Sequence, residues 1–362
     1  MTSLFDPIRL GDLDLPNRVI MAPLTRTRAT PDGRVPTALM AEQYVQRTSA
    51  GLIVSEATSV EAMGVGYANT PGIWSKEQTE GWKNVTKAVH NAGGRISLQL
   101  WHVGRISDPE FLGGLAPVSA SGIAADGFVS LMRPKRAYPT PRALRLDEIP
   151  GIVEAFRRGA ENALAAGFDG VEIHGANGYL LDQFLQDGSN KRDDAYGGPI
   201  ENRARLHLEV ADACISVWGA DRVGMHLAPR GDSHDMGDSD LAGTFGYLAR
   251  ELGKRQLAFL FLREHVGPDR LAPALKKAFG GPVIGNEQYT LEQSIADLQG
   301  GMVDAIGFGR TFIANPDLPA RLKAGAPLNE LNPATLYAQG PEGYTDYPTM
   351  EQVRTRELQP GE

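Results

Sequence analysis

Short apolar runs bounded by turn-forming residues recur eight times along the chain, separated by longer segments with helical spacing of apolar residues. Near-continuous apolar runs of this length are typical of parallel strands buried on both faces. The eight runs are RVIMAP (18–23), GLIVSEA (51–57), RISLQLWH (95–102), FDGVEIHG (168–175), RVGMHLAP (222–229), LAFLFLRE (257–264), GPVIGNE (281–287) and VDAIGFGR (303–310).

The intervening segments predict helices over 37–49, 75–93, 146–167, 199–219, 291–301 and 316–325. Strands that alternate with helices indicate an α/β protein with a parallel sheet. Eight such units fit a closed (β/α)8 TIM barrel better than an open doubly wound sheet. We therefore predict a single barrel domain over 1–349, followed by a polar C-terminal tail over 350–362.

A stretch rich in Gly, Pro, Ser and Ala, residues 103–142, separates the third strand from its helix. A loop of this length is unusual inside a compact domain, and an active-site lid is its common reason. The sequence therefore predicts a lid at this position.

Composition and charge narrow the range of partners. The chain has 362 residues, 42% hydrophobic content and a formal net charge of −8, and no dense Lys/Arg block. We therefore expect neither nucleic acid nor an anionic membrane as a partner. The one cysteine, Cys214, falls on the apolar side of a predicted helix and is expected to be a core residue. Apolar runs too short to span a bilayer, and no signal-like leader, predict a cytoplasmic protein. We expect a monomer or a homodimer.

Polar side chains stand at the ends of nearly all the predicted strands. In barrels of this type the chemistry lies at the carboxyl ends of the strands. Any one of these residues alone could be structural, as a loop cap or a hydrogen-bonded core histidine. Their alignment on one rim predicts a ligand site built from Thr25, Glu56, Gln99, His174, His226, Arg263, Asn286 and Arg310.

The last two strands indicate phosphate binding. Gly307 and Gly309 permit close backbone approach, Arg310 supplies a fixed cation, and a helix begins nearby. No G-x-G-x-x-G motif follows the first strand, so a Rossmann dinucleotide site is not indicated. The pattern predicts a phosphorylated ligand in the barrel mouth.

Residue types then exclude other chemistries. None of the eight strand ends carries the lysine that a Schiff-base aldolase needs. His174 and His226 are the only strand-end histidines, so no metal site is predicted. An organic cofactor is the remaining source of reactive chemistry.

Six motifs resemble, in the same order, those of the Old Yellow Enzyme family of FMN-dependent ene-reductases, and more closely its bacterial N-ethylmaleimide, glycerol trinitrate and xenobiotic reductases. They are MAPLTR, SEAT, QLWHVGR, HGANGYLLDQFLQ, NKRDDAYGG and GFGRTFIANPDL, and the resemblance covers essentially the whole chain. It implies non-covalently bound FMN, NADPH or NADH as reductant, and ping-pong hydride transfer to activated alkenes, maleimides, nitro compounds or nitrate esters.

The same resemblance assigns cofactor contacts. It implies that the isoalloxazine lies against Pro23, Leu24 and Thr25, with the Thr25 hydroxyl bonding flavin O4. The pyrimidine edge would be bound by Ala57 and Gln99. The phosphate would be held by Gly309 and Arg310, helped by backbone N–H groups around Glu287 and Gln288.

It also assigns substrate contacts. His174 and Asn177 match the pair that holds the activating oxygen of the substrate, and Tyr179 matches the proton donor. The substrate pocket would be shaped by three aromatic residues, Tyr67, Trp101 and Tyr337. His102 and Tyr196 are expected to be structural.

Two positions depart from the family pattern. Relatives commonly carry arginine on the fifth strand, facing the flavin, where this chain has His226 in VGMHLAPR. Because histidine titrates near pH 6.5, stabilisation of the reduced flavin is expected to depend on pH, unless Arg230 compensates. In GNEQYT, Glu287 stands where relatives often have a glycine-rich turn, and its carboxylate must point away from phosphate.

Two other readings stay open from the sequence. One is a barrel enzyme that acts on a different phosphorylated ligand without flavin. The other is a flavin- or ligand-binding sensor with little turnover.

Overall fold

The computed structural model describes residues 2–358, and its central feature is a closed barrel of eight parallel strands. Each strand pairs with the next in the chain and the eighth pairs with the first, so the barrel has no edge. The predicted (β/α)8 barrel is confirmed, and all eight strands lie within the predicted runs. In chain order, β1 to β8 are Val19–Met21, Leu52–Val54, Ile96–Trp101, Gly170–His174, Val223–Leu227, Phe259–Arg263, Val283–Asn286 and Ala305–Phe308.

Helices cover the outside of the barrel. Two of them begin with a capping box, in which Ser75 pairs with Gln78 and Thr290 with Gln293. The α-helices are Ala38–Val45, Lys76–Asn91, Ile149–Ala165, Leu180–Leu185, Ile200–Arg203, Arg205–Trp218, Leu241–Lys254, Ala272–Phe279, Leu291–Gln299, Arg310–Ala314, Leu318–Ala324 and Met350–Leu358. Single 3-10 turns are Ala62–Gly64, Pro109–Phe111, Ala220–Arg222 and Pro333–Thr335.

The last helix, Met350–Leu358, occupies most of the segment expected to be a polar tail, and residues 359–362 of that segment lie outside the described residues. No helix within residues 2–358 is both long enough and apolar enough to cross a membrane.

The core has two layers. The larger one lies between the outer face of the barrel and the helices, where Cys214 is fully buried. The smaller one fills the barrel interior, where Phe259 and Ile284 pack with leucines of an N-terminal hairpin, Ile8–Leu10 and Leu13–Leu15. The hairpin closes the amino end of the barrel and was not predicted. The carboxyl end of the barrel is therefore where a ligand can enter.

The predicted lid, 103–142, lies over one side of that open end. A short strand at its start, Val118–Ser119, pairs in parallel with Arg142–Ala143 at its end. Apolar lid residues pack against Trp101 at the end of β3, among them Val103, Ile106 and Tyr138. The lid thus forms a wall beside the strand ends.

Candidate active site

Strand register brings four polar side chains together inside the upper barrel. His226 on β5 lies beside His174 on β4, with ring centroids 5.2 Å apart, and Gln99 on β3 lies opposite Glu172 on β4. All four side chains are buried. The strand-end alignment expected from the sequence therefore forms one connected site.

A cavity of about 400 Å³ opens above this group, a size in the range of small-molecule sites. Of the ten predicted cofactor contacts, seven line it: Pro23, Leu24, His226, Glu287, Gln288, Gly309 and Arg310. Thr25, Ala57 and Gln99 do not line it. Asn177, Arg263, Asn286 and Tyr289 also line the cavity, so it extends from β4 round to β8 and β1.

One end of the cavity has the features of a phosphate site. The exposed side chain of Arg310 makes no hydrogen bond or ion pair with any described residue, so its guanidinium is available to a ligand. A Cβ added at Gly309 would lie 3.2 Å from Leu24 Cδ1, which explains why a larger residue would crowd this position. Glu287 and Gln288 have left-handed backbones, with φ of 99° and 56°, in the turn where the family pattern has glycine.

The floor of the site is a buried polar trio. Gln99 Nε2 donates to Glu172 Oε2 at 2.5 Å and lies 3.3 Å from His226 Nδ1, which is 3.5 Å from Glu172 Oε1. Burial raises the pKa of Glu172 to about 8 and lowers that of His226 well below its usual value. The expectation that His226 titrates near pH 6.5 is therefore wrong for the ligand-free protein, because burial penalises its charged form.

Buried polar atoms without a partner mark where a ligand is needed. His226 Nε2, His174 Nδ1 and Trp101 Nε1 have no hydrogen bond among the described residues. Such atoms cost free energy unless a ligand or water pairs with them. A cofactor with a polar ring edge near the trio and a phosphate near Arg310 fits this arrangement.

The three predicted contacts outside the cavity lie beside it. Gln99 is in the buried trio, and Ala57 packs with Tyr67 and Trp101 under the lid. Thr25 follows Leu24 and is half-buried, and its hydroxyl makes no hydrogen bond within 2–358. All three are adjacent to the cavity.

Aromatic side chains form the neighbouring wall. The Tyr67 and Tyr179 hydroxyls are 2.8 Å apart, and the Trp101 ring stacks on Tyr67 at 5.4 Å and meets Tyr179 edge-on at 5.0 Å. Burial raises the pKa of Tyr179 well above its usual value, so the phenol keeps its proton. Tyr337 is 47% exposed, and its backbone carbonyl accepts a hydrogen bond from the Thr27 hydroxyl in the loop after β1.

His174 and Asn177 face this wall from β4 and the turn after it. His174 is 5.1 Å from the Tyr179 ring, and burial lowers its pKa to about 3, so it is neutral. Asn177 has φ of 59°, and its backbone carbonyl lies 2.7 Å from His234 Nδ1. Two neutral side chains with N–H donors and one protonated phenol therefore meet near one point.

Sequence reasoning missed one part of this site and misjudged another. Arg263 was noted only as a strand-end residue, yet its Nη1 donates to Asn177 Oδ1 at 2.9 Å. Arg230, considered as a substitute for the missing arginine, pairs with Glu264 at 2.7 Å and with Asp269 beside a different cavity. Arg263 ends β6 and Arg230 lies in the loop after β5, and neither position indicates the partners of the side chain.

His102 and Tyr196 have structural partners, as expected. His102 Nε2 lies 3.1 Å from Glu61 Oε1, and the Tyr196 hydroxyl donates to Glu209 at 2.8 Å. Within the described part of the chain, no group of three His, Cys, Asp or Glu residues is placed to hold a metal ion.

The sequence of the chain is similar to those of known proteins. The profile of the NADH:flavin oxidoreductase / NADH oxidase family matches residues 3–329. The chain is 42% identical to 12-oxophytodienoate reductase 1 of Oryza sativa subsp. japonica, over 97% of this chain and 94% of that protein. It is 41% identical to a probable flavin mononucleotide-dependent alkene reductase of Leishmania infantum, over 96% and 97% of the two chains.

Solved structures of similar proteins have the same fold. The old yellow enzyme homologue of Zymomonas mobilis has a TM-score of 0.93 and 46% identity, over 96% of this chain and 99% of that chain. Morphinone reductase in complex with tetrahydroNAD has a TM-score of 0.93 and 48% identity, over 97% and 98%. The chain therefore belongs to the NADH:flavin oxidoreductase / NADH oxidase family, as an FMN-dependent ene-reductase of the Old Yellow Enzyme type.

Proposed function

We propose that this protein reduces alkenes conjugated to a carbonyl or nitro group, and that His174, Asn177 and Tyr179 carry out the protein's part of the reaction. The observation that carries the proposal is that the His174 and Tyr179 rings are in contact, with centroids 5.1 Å apart, next to a cavity that Asn177 lines and whose other end holds Arg310. When bound, FMN supplies the hydride that the β-carbon of the alkene accepts.

The proposed cofactor contacts follow the cavity from end to end. Arg310 and the backbone N–H groups of Gly309, Glu287 and Gln288 hold the phosphate, because a guanidinium and oriented N–H groups suit that anion. Pro23 and Leu24 support the ring and the Thr25 hydroxyl bonds O4. The pyrimidine edge would be bound by Ala57, Gln99 and His226, whose Nε2 has no partner among the described residues.

His174 and Asn177 are proposed to stabilise the negative charge that appears on the substrate oxygen. Hydride addition to the β-carbon converts the conjugated group into an enolate or nitronate. Donors aimed at the oxygen act mainly in the transition state, and each is worth about 3 kcal/mol by analogy with oxyanion holes. Because both side chains are neutral, no charged group has to be desolvated when an uncharged alkene binds.

Tyr179 is proposed to protonate the α-carbon. Its raised pKa keeps the phenol protonated at neutral pH, so it can serve as the acid. Tyr67 is its hydrogen-bond partner at 2.8 Å and holds the hydroxyl in place.

Tyr67, Trp101 and Tyr337, with the lid 103–142, are proposed to shape the substrate pocket. The names of the relatives, 12-oxophytodienoate reductase and morphinone reductase, are those of enzymes acting on ketones, which supports enones as one substrate class. Nitroalkenes, maleimides, nitrate esters and nitroaromatics are further candidates, since their oxygens meet the same donors.

NADPH or NADH is proposed to use the same pocket before the substrate does, which gives ping-pong kinetics. The tetrahydroNAD complex of morphinone reductase supports a nicotinamide reductant in this fold. The partners are small molecules, and we propose a cytoplasmic monomer or homodimer.

The test is a set of absorption spectra of the purified protein under anaerobic conditions. We expect flavin bands that bleach on addition of NADPH and return on addition of cyclohexenone. A folded protein that takes up no FMN would overturn the cofactor assignment. Bands that bleach but do not return with any activated alkene would leave a flavoprotein and overturn the alkene-reductase activity.

A further inference from the structure

Arg263, at the carboxyl end of β6, joins two parts of the site that come from distant segments. Its Nη1 donates to Asn177 Oδ1 at 2.9 Å and to Ser233 Oγ at 3.2 Å, and its Nε pairs with the Glu287 carboxylate. All of these partners except Ser233 line the same cavity. The guanidinium therefore crosses the cavity wall from the loop after β4 to the loop after β7.

The hydrogen bond to Oδ1 decides which end of the Asn177 amide faces a ligand. Guanidinium is a donor only, so it must meet the amide oxygen and not the NH2 group. The Asn177 NH2 group then has no partner among residues 2–358 and remains free to donate. If the amide were turned over, its oxygen would face the substrate oxygen and repel the charge that develops there.

Glu287 restrains the arginine in turn. Its backbone has φ of 99°, a conformation that non-glycine residues rarely adopt, and its side chain is 17% exposed. In this conformation the carboxylate turns toward Arg263 and away from Arg310. The Glu287 carboxylate, whose charge would oppose phosphate binding, is thus paired with Arg263 instead.

We propose that Arg263 is a positioning residue for the proposed alkene reduction, fixing the Asn177 amide with its NH2 group toward the oxygen of the substrate. The proposal rests on the proposed function. Arg263 acts through Asn177, and its planar guanidinium lets Nη1 donate to the amide while Nε pairs with Glu287. The charge of the guanidinium also polarises the amide, which makes the NH2 group a stronger donor.

A double-mutant cycle on the holoprotein separates this role from a direct effect of the charge. The variants are Arg263→Met, Asn177→Ala and the two combined. The probe is 4-chlorophenol, whose phenolate mimics the developing oxyanion and gives a charge-transfer band with bound flavin. We expect Arg263→Met to weaken phenol binding about tenfold in the wild-type background, as for a lost hydrogen bond to a charged group. With Asn177→Ala already present, the same change should have an effect below about twofold.

Three controls sharpen the result. Arg263→Lys keeps the charge and one donor but cannot pair with Asn177 and Glu287 together, so it should weaken phenol binding less than Arg263→Met does. Glu287→Gln keeps the donor to Asn177 and should weaken binding less than either. The flavin midpoint potential of the Arg263 variants that retain FMN reports the direct effect of the charge on the cofactor, and it should be the same with and without Asn177→Ala.

The outcomes are distinct. Equal weakening by Arg263→Met with and without Asn177 would show that the charge acts directly and would overturn the proposal. If Arg263→Met does not retain FMN, phenol binding by Arg263→Lys is measured with and without Asn177→Ala instead. Equal weakening in the two backgrounds would again overturn the proposal. A wild-type protein that binds no FMN would overturn the proposed function itself.

Discussion

The hydroxyl groups of Tyr67 and Tyr179 are 2.8 Å apart, and each tyrosine ring also packs against Trp101. The Tyr179 hydroxyl thus has a fixed position and a single hydrogen-bond partner among the described residues. This pairing makes Tyr179 the acid and Tyr67 its support, and the two roles can be tested separately.

Tyr179→Phe should slow reoxidation of the reduced holoprotein by an alkene by about 100-fold or more, the usual contribution of a positioned acid. Reduction by NADPH needs no proton from this residue and should change little. Rapid-mixing measurements of the two half-reactions check this. Tyr67→Phe is the matched control, since it keeps the acid and should cost less. Equal slowing of both half-reactions by Tyr179→Phe would contradict the assignment.

Arg310→Ala should weaken FMN binding by about 10- to 100-fold, because it removes charge-assisted hydrogen bonds to the phosphate. Riboflavin has no phosphate, so its affinity for the same variant should match that for the wild type. Fluorescence titration of the flavin-free protein with both ligands measures the difference. A loss of similar size for riboflavin would show that Arg310 supports the fold and not the phosphate.

Glu172→Gln should make the protein's stability less sensitive to alkaline pH. Burial raises the pKa of Glu172 from 4.5 to about 8, so the folded state keeps a proton that the unfolded chain releases near 4.5. The stabilisation linked to this proton is complete below pH 4.5 and is lost as the pH rises toward 8. Glutamine can accept and donate similar hydrogen bonds but cannot ionise.

Thermal melting of the holoprotein at pH 5 and pH 8.5 tests this linkage. The melting temperature of Glu172→Gln should fall less between the two pH values than that of the wild type. Glu42→Gln, at an exposed helix position, is the control and should follow the wild type. Parallel curves for all three proteins would show that Glu172 is already ionised in the folded state.

His226→Arg should raise the midpoint potential of the bound flavin by about 30 mV, which corresponds to 1.4 kcal/mol for a two-electron couple. His226 is neutral in the ligand-free protein because of burial, whereas arginine would place a permanent charge beside the pyrimidine edge. Wild-type protein should show the larger dependence on pH from 5.5 to 8.5, since only histidine can take up a proton when negative charge appears. His90→Arg, at an exposed helix position, controls for net charge. If the midpoint potentials of the wild type and His226→Arg depend on pH in the same way, protonation of His226 does not stabilise the reduced flavin.

The fold was predictable because its signal is local. Each barrel strand is a short apolar run between turn residues, and all eight were found from the sequence. The N-terminal hairpin, Ile8–Leu10 with Leu13–Leu15, was missed because three-residue strands are too short to show a period. The helix Met350–Leu358 was missed because its sequence is polar on most sides.

The site was predictable in its residues but not in its connections. His174, Asn177 and Tyr179 follow one strand and were identified from their motif. The bond from Arg263 to Asn177 joins positions 86 residues apart. Whether Arg230 compensates for His226 depended on where its partners Glu264 and Asp269 lie. The protonation state of His226 depended on burial, which strand-end spacing does not measure.

The most direct test of the account compares wild type with the variant carrying both His174→Ala and Asn177→Ala. Each holoprotein is reduced anaerobically with dithionite and mixed rapidly with cyclohexenone, and the return of flavin absorbance is followed. We expect the double variant to retain FMN and to reoxidise at least about 100-fold more slowly, since one such donor alone is worth 10²–10³ in rate. Reoxidation at the wild-type rate would contradict the claim that these two side chains stabilise the developing oxygen anion.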